Sequence, residues 1–94
     1  MAQPESRIVL GMTEIDLEQG ALYQVEESRG FGRPPAVYPS VEFTAKRTVI
    51  NWWVPEANEV LPTEVHEFVT DTGALVLVPI KHLVSARRLQ GPQQ

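Results

Sequence analysis

The chain has 94 residues, 43% of them hydrophobic, and a formal net charge of −4. That bounds it to one small domain, residues 1–94, with a thin core, and argues against nonspecific nucleic-acid binding, which needs clustered cations. The absence of cysteine excludes disulfides and thiolate metal sites and fits a reducing, cytoplasmic setting.

The opening residues, MAQPESR, lack the shape of a signal peptide. No apolar run reaches the roughly 20 residues of a spanning helix, so no membrane contact is expected. Residues 6–10, with RIVL as their apolar part, read as a first strand. Thr13 with Asp16 resembles a capping box, and Gly20 suits the end of a helical turn. The segment is too short for a stable helix, so it is a turn of helix or a loop.

ALYQVEES, from Ala21, alternates as a strand, with Ala21, Tyr23 and Val25 on one face. RGFGRPPAVYP, from Arg29, holds two glycines and three prolines and reads as a long, mobile loop. Alternation returns with Val41, Phe43 and Ala45, then changes parity to Ile50, Trp52 and Val54. Such a switch requires a bulge or tight turn near residues 45–48. No Gly, Asn or Asp stands there to favour a two-residue hairpin, so a bulged or sharply bent strand is expected. The shifted parity turns Trp52 inward and leaves Trp53 on the other face with Asn51.

PEANEVLP, between Pro55 and Pro62, reads as a loop. Asp71-Thr72-Gly73 signals a hairpin turn closed by a left-handed glycine. The run Ala74–Val78 is apolar at every position, which suggests burial on both faces. The expected core comprises Val49 or Ile50, Val65, Val69, Leu75, Leu77 and Ile80. Residues 80–89 suit a helix or a strand, and 90–94 a frayed tail. The chain is therefore expected to be all-β: a small SH3-like barrel or β-sandwich of five to six short strands with one short helical turn.

Three fragments carry a resemblance. ALY at 21–23, the pair Trp52-Trp53, and VPIKHLV at 78–84 resemble, in order, an SH3 domain's first strand motif, its tryptophan pair and its closing proline, helical turn and last strand. Val25 and Leu83 depart from tyrosines of that pattern, and its acidic specificity loop is not evident. The resemblance implies a groove for proline-rich peptides lined by Tyr23, Trp52 and Pro79. It exposes Trp52, whereas the alternation exposes Trp53.

Charge is unevenly spread. Residues 14–27 and 56–71 carry acids and no base, and after Asp71 only bases follow, namely Lys81, Arg87 and Arg88. This reads as a solvated surface, or as head-to-tail contact between copies. No nucleophile elbow, phosphate loop, HExxH or EF-hand pattern occurs. His66 beside Glu67 on a strand points to the opposite face, and a solvated cross-strand polar pair is the expectation. No catalytic residue, metal site or cofactor is therefore expected.

The function expected is a non-enzymatic protein-interaction module or small subunit of a larger assembly. Its contact surface is Arg29, Phe31, Arg33, Tyr38 and Trp53, and its partner another protein or a second copy. The alternative is a small nucleic-acid-binding barrel that uses Arg29, Phe31, Arg33, Lys46 and Arg47.

Overall fold

The computed structural model describes the backbone of residues 6–8 and, with side chains, residues 16–30 and 32–92. The strands are β1 (Ser6–Ile8), β2 (Leu22–Glu27), β3 (Ala36–Val54), β4 (Glu59–Thr70), β5 (Leu75–Pro79) and β6 (Leu83–Gln90), with a 3-10 turn, η1 (Ile80–His82), before the last. They form one antiparallel sheet in the order β1-β6-β2-β3-β4-β5. Five are full strands, and the three-residue β1 pairs along the outer edge of β6. The helical turn near Thr13 lies mostly outside the described residues.

All-β is correct, but the sheet is open and is neither a barrel nor a sandwich. Among the described residues, β5 pairs only with β4, and β1 only with β6. Yet η1, three residues long, carries the chain from β5 to β6, far apart in strand order. The sheet must coil for so short a link to reach. Its inner face accordingly gathers Ala21, Tyr23, Val25, Val41, Phe43, Phe68, Val78, Leu83 and Ala86 into one core, with Leu17, Tyr38 and Val76 against it. The segment 80–89, ambiguous in sequence, is a 3-10 turn followed by a strand.

Strand lengths depart most from expectation. β3 runs 19 residues and β4 runs 12. The last four of the eleven residues in the expected 29–39 loop are strand, because Ala36, Val37 and Tyr38 pair with Glu27, Glu26 and Val25. Pro39 is tolerated there because Pro39 and Ser40 together oppose Gln24, at a bulge that interrupts the regular ladder. The expected 55–62 loop shrinks to four residues, since Val54 pairs with Glu59. Ala57 N–H donates to the Val54 carbonyl and Asn58 N–H to that of Pro55, and Asn58 then closes the turn at φ 55°. Asparagine adopts that left-handed backbone readily.

Two bulges interrupt the alternation of β3, and since each shifts it by one they cancel: Trp53 lies on the ladder face of Phe43 and Phe68, and Trp52 on the face of Val65. Phe43 opposes Phe68 and Ala45 opposes Glu67, which leaves Thr44 as the extra residue. Its hydroxyl donates to Glu67, lying 2.6 Å from Oε2 and 3.0 Å from the carbonyl oxygen. Farther out, Val49 opposes Thr63 and Trp52 opposes Leu61, so Ile50 and Asn51 share one partner, Pro62. The second proline in a strand thus also sits at a bulge.

The expected core is mostly displaced: of its positions only Val65 is buried, and the core cluster is made by other residues. Val65 is buried, while Ile50 is 77% and Leu75 63% exposed; Val49, Val69, Leu77 and Ile80 are half-buried. On β5 burial rises along the strand, from Leu75 near the turn to Val78 and Pro79 at the far end. The apolar run is therefore an edge strand, not one covered on both faces throughout. The Asp71–Gly73 turn is as expected: Gly73 has φ 87°, and Thr70 N–H donates to the Ala74 carbonyl at 2.9 Å.

Candidate binding cleft

Beyond Phe43, β3 has left its pairing with β2, and β4 pairs with β5 only from Val65 onward. The residues between form a two-stranded arm that projects from the body, and the molecule measures 44 × 25 × 22 Å. Directly opposed residues share a face. Trp52 with Leu61, and Val49 with Thr63, therefore lie on one side, and Trp53 with Val60 on the other.

The first side turns toward η1. Trp52, Val54, Leu61 and Thr63 line a cleft of about 470 Å³ together with Trp53, Pro55, Pro79, Lys81 and His82. That volume is within the range of small-ligand and side-chain pockets. The second side is open to solvent, with Trp53 53% and Val60 51% exposed. Trp53 is thus the more exposed tryptophan, as expected, but Trp52 is covered by the cleft on the face of Val65 and not by the Phe43–Phe68 core to which the parity argument assigns it. Trp52 and Pro79 do line a common cleft, as the SH3 resemblance implies. Tyr23 does not: it is buried in the core, and its hydroxyl accepts a 2.8 Å hydrogen bond from Glu18 N–H.

The arm tip curls back over η1, where Glu56 Oε2 lies 3.7 Å from His82 Nε2. Pro55, Glu56 and His82 also border a second groove of about 580 Å³, shared with Glu27, Ser28, Arg29, Gly30 and Arg33. The loop that carries the arginines is tied down at its base, since Ser28 N–H donates to the His82 carbonyl at 2.7 Å. Of the expected contact residues, Arg29, Arg33 and Trp53 therefore border two joined grooves. Tyr38 packs against the core and donates to Glu27 Oε1 at 2.9 Å. Burial, then the Glu27 hydrogen bond and charge, push its phenol above the usual value. Phe31 lies outside the described residues.

Part of the uneven charge is paired within the chain. Arg88 of the basic end meets Glu18 at 2.6 Å. Lys46 meets Glu64 at 3.8 Å, and Arg47 pairs with Glu67. Thr44 and then Arg47 hold the Glu67 carboxyl below the usual range. These carboxylates need no second copy to neutralise them. His66 is buried, contrary to the solvated pair expected of it. Its ring lies edge-on to Phe43 and Phe68, at 5.5 and 6.3 Å. Burial of consecutive residues, Val65 and His66, marks where both faces of the sheet are covered.

Sequence reasoning missed Pro55, Leu61, Lys81 and His82 as cleft residues. Asn58, a residue that favours left-handed turns, was the available sign that 49–65 is a hairpin. Among the described residues, no three His, Asp or Glu side chains gather as metal ligands would, and no helix is long and apolar enough to cross a membrane. The chain matches no protein-family model, no curated protein and no solved structure.

Proposed function

We propose that this domain is a non-enzymatic protein-interaction module, or a small subunit of a larger assembly. It holds an extended apolar segment of another protein in the cleft beneath the β3–β4 arm. The observation that carries this reading is the arm itself. It places Trp52, Leu61 and Pro79 around an apolar cleft and leaves Ile50, Trp53 and Val60 uncovered on its other face. Exposed aromatic side chains beside a preformed cleft are the usual anchors of interfaces. An apolar face on so thin a domain gains by being covered. The finer architectural reading, an SH3-like arrangement, rests on the succession Pro79, η1 and β6 and on the Trp52–Pro79 cleft.

The nucleic-acid reading has less behind it. Arg29 and Arg33 border one groove, while Lys46 and Arg47 are paired with Glu64 and Glu67. Of the basic residues it needs, Arg29 and Arg33 border one groove and Lys46 another.

The test is affinity capture from the host with the native chain and with Trp53→Ala and Lys81→Ala, followed by mass spectrometry. A partner retained by the native chain and lost from variants of unchanged melting temperature supports the proposal. A partner set unaffected by either substitution contradicts it.

A further inference from the structure

The surface next to the cleft has a charge pattern that specifies the partner's chemistry. Arg47, Lys46 and Arg88 each lie against a carboxylate of the chain, namely Glu67, Glu64 and Glu18. Arg29 and Arg33 differ. Both are exposed on the 28–35 loop, and among the described residues neither has a salt bridge. Arg29 lies beside the Tyr38 hydroxyl, and Arg33 is presented by a turn in which its N–H donates to the Gly30 carbonyl at 3.3 Å. The two carboxylates that share their groove each have another partner, and Glu27 meets Arg29 only through the Tyr38 hydroxyl. Glu27 accepts the Tyr38 hydroxyl, and Glu56 faces His82. Lys81 adds a further cation at the cleft wall.

We propose that the partner segment is acidic: an extended apolar stretch seated in the arm cleft continues into carboxylates received by Arg29 and Arg33. This rests on the reading of the cleft as a binding surface and names what fills it. The two grooves join through Pro55, Glu56 and His82, so one extended segment passes from the tryptophans to the arginines without leaving the surface. The guanidinium fork takes a carboxylate in two parallel hydrogen bonds, which fixes direction as well as charge. A nucleic acid fits less well. Its regular phosphates would run past Glu27 and Glu56, whereas a peptide places one or two charges only where the arginines are. The cleft walls, Val54, Pro55, Leu61 and Pro79, suit aliphatic side chains.

The experiment selects 12-residue peptides from a random display library on the folded domain, then measures synthetic copies by fluorescence anisotropy. Enriched peptides should join an apolar run to Asp or Glu. The double variant Arg29→Glu, Arg33→Glu should melt as the native chain does and bind these peptides roughly tenfold more weakly at low salt, with the difference fading near 0.5 M salt. A repeat selection on that variant should enrich Lys or Arg instead. Peptides that bind in the cleft but are basic or uncharged overturn this inference and leave the interaction module standing. An affinity indifferent to the charge reversal does the same. The absence of any enriched peptide overturns both, as does binding of single-stranded oligonucleotides in preference to every peptide. Self-association that fills the cleft, read by sedimentation with Trp53→Ala as control, overturns the acidic partner in favour of a second copy.

Discussion

Phe68→Ala, compared with Leu75→Ala, tests how the sheet is covered. Both residues are apolar in sequence, and both flank the Asp71–Gly73 turn. Phe68 is 0% exposed; its ring lies edge-on to Phe43 at 5.7 Å and to His66 at 6.3 Å. Truncation removes the ring and leaves a cavity in a coiled sheet that cannot collapse easily, at a cost of about 3–5 kcal/mol. Lost edge-to-face contacts add about 0.5–1.5 kcal/mol. For a domain of this length the total stability is roughly 5–14 kcal/mol, so the variant loses a large share of it. Leu75, at the exposed start of the edge strand, should cost about 0.5 kcal/mol or less. Urea unfolding at pH 7, followed by tryptophan fluorescence and far-ultraviolet circular dichroism, measures both. Should Phe68→Ala fail to fold, Phe68→Leu supplies a smaller loss of the same sign. A larger loss for Leu75→Ala than for the Phe68 variants would refute the assignment of the core to the inner face.

Iodide should quench a Trp53-only variant more strongly than a Trp52-only one; the reverse order would place Trp52 outside the cleft. Glu67 has a lowered pKa in the fold, so its contribution is full above the ordinary carboxylate value and is lost as pH falls from there through its lowered folded value. Thr44→Val should therefore move the Glu67 carboxyl up in an NMR titration, and an unchanged value would remove the hydroxyl as the main cause. Amides of residues 36–38 should exchange more slowly than those of 29–35, and uniform fast exchange across 29–40 would deny the strand. Gly73→Ala, which forces a side chain onto φ 87°, should cost about 1 kcal/mol, read as a lower urea midpoint.

What the sequence revealed depended on where local chemistry was unambiguous. The Asp71–Gly73 turn was legible because only glycine closes it without strain. The parity change between Ala45 and Ile50 was legible as a break in alternation, and it correctly separated Trp52 from Trp53. Two bulges lie there and cancel, so the expected inward set is split: Ile50 is exposed, and Trp52 and Val54 lie on the face of Val65, opposite the Phe43–Phe68 core. On β5 every residue is apolar, so alternation carries no signal. Burial there is decided by distance from the turn and by what η1 covers. Pro39 and Pro62 argued for loops, because proline cannot serve a regular ladder; pairing irregularities at both places let the strands continue. The cleft was not legible at all. It joins Trp52 to Pro79 and Lys81 through the coil of the sheet, and no local pattern encodes that curvature.

The central claim is that the arm cleft and the adjoining arginine groove form the contact surface. Backbone amide shifts, recorded while the 15N-labelled domain is titrated with the segment captured from its host, test this most directly. The account predicts the largest changes at residues 52–57, 61–63 and 79–82, with a second cluster at 29–33. Changes concentrated instead on the edge strand at 75–77, or on 85–90, would contradict it.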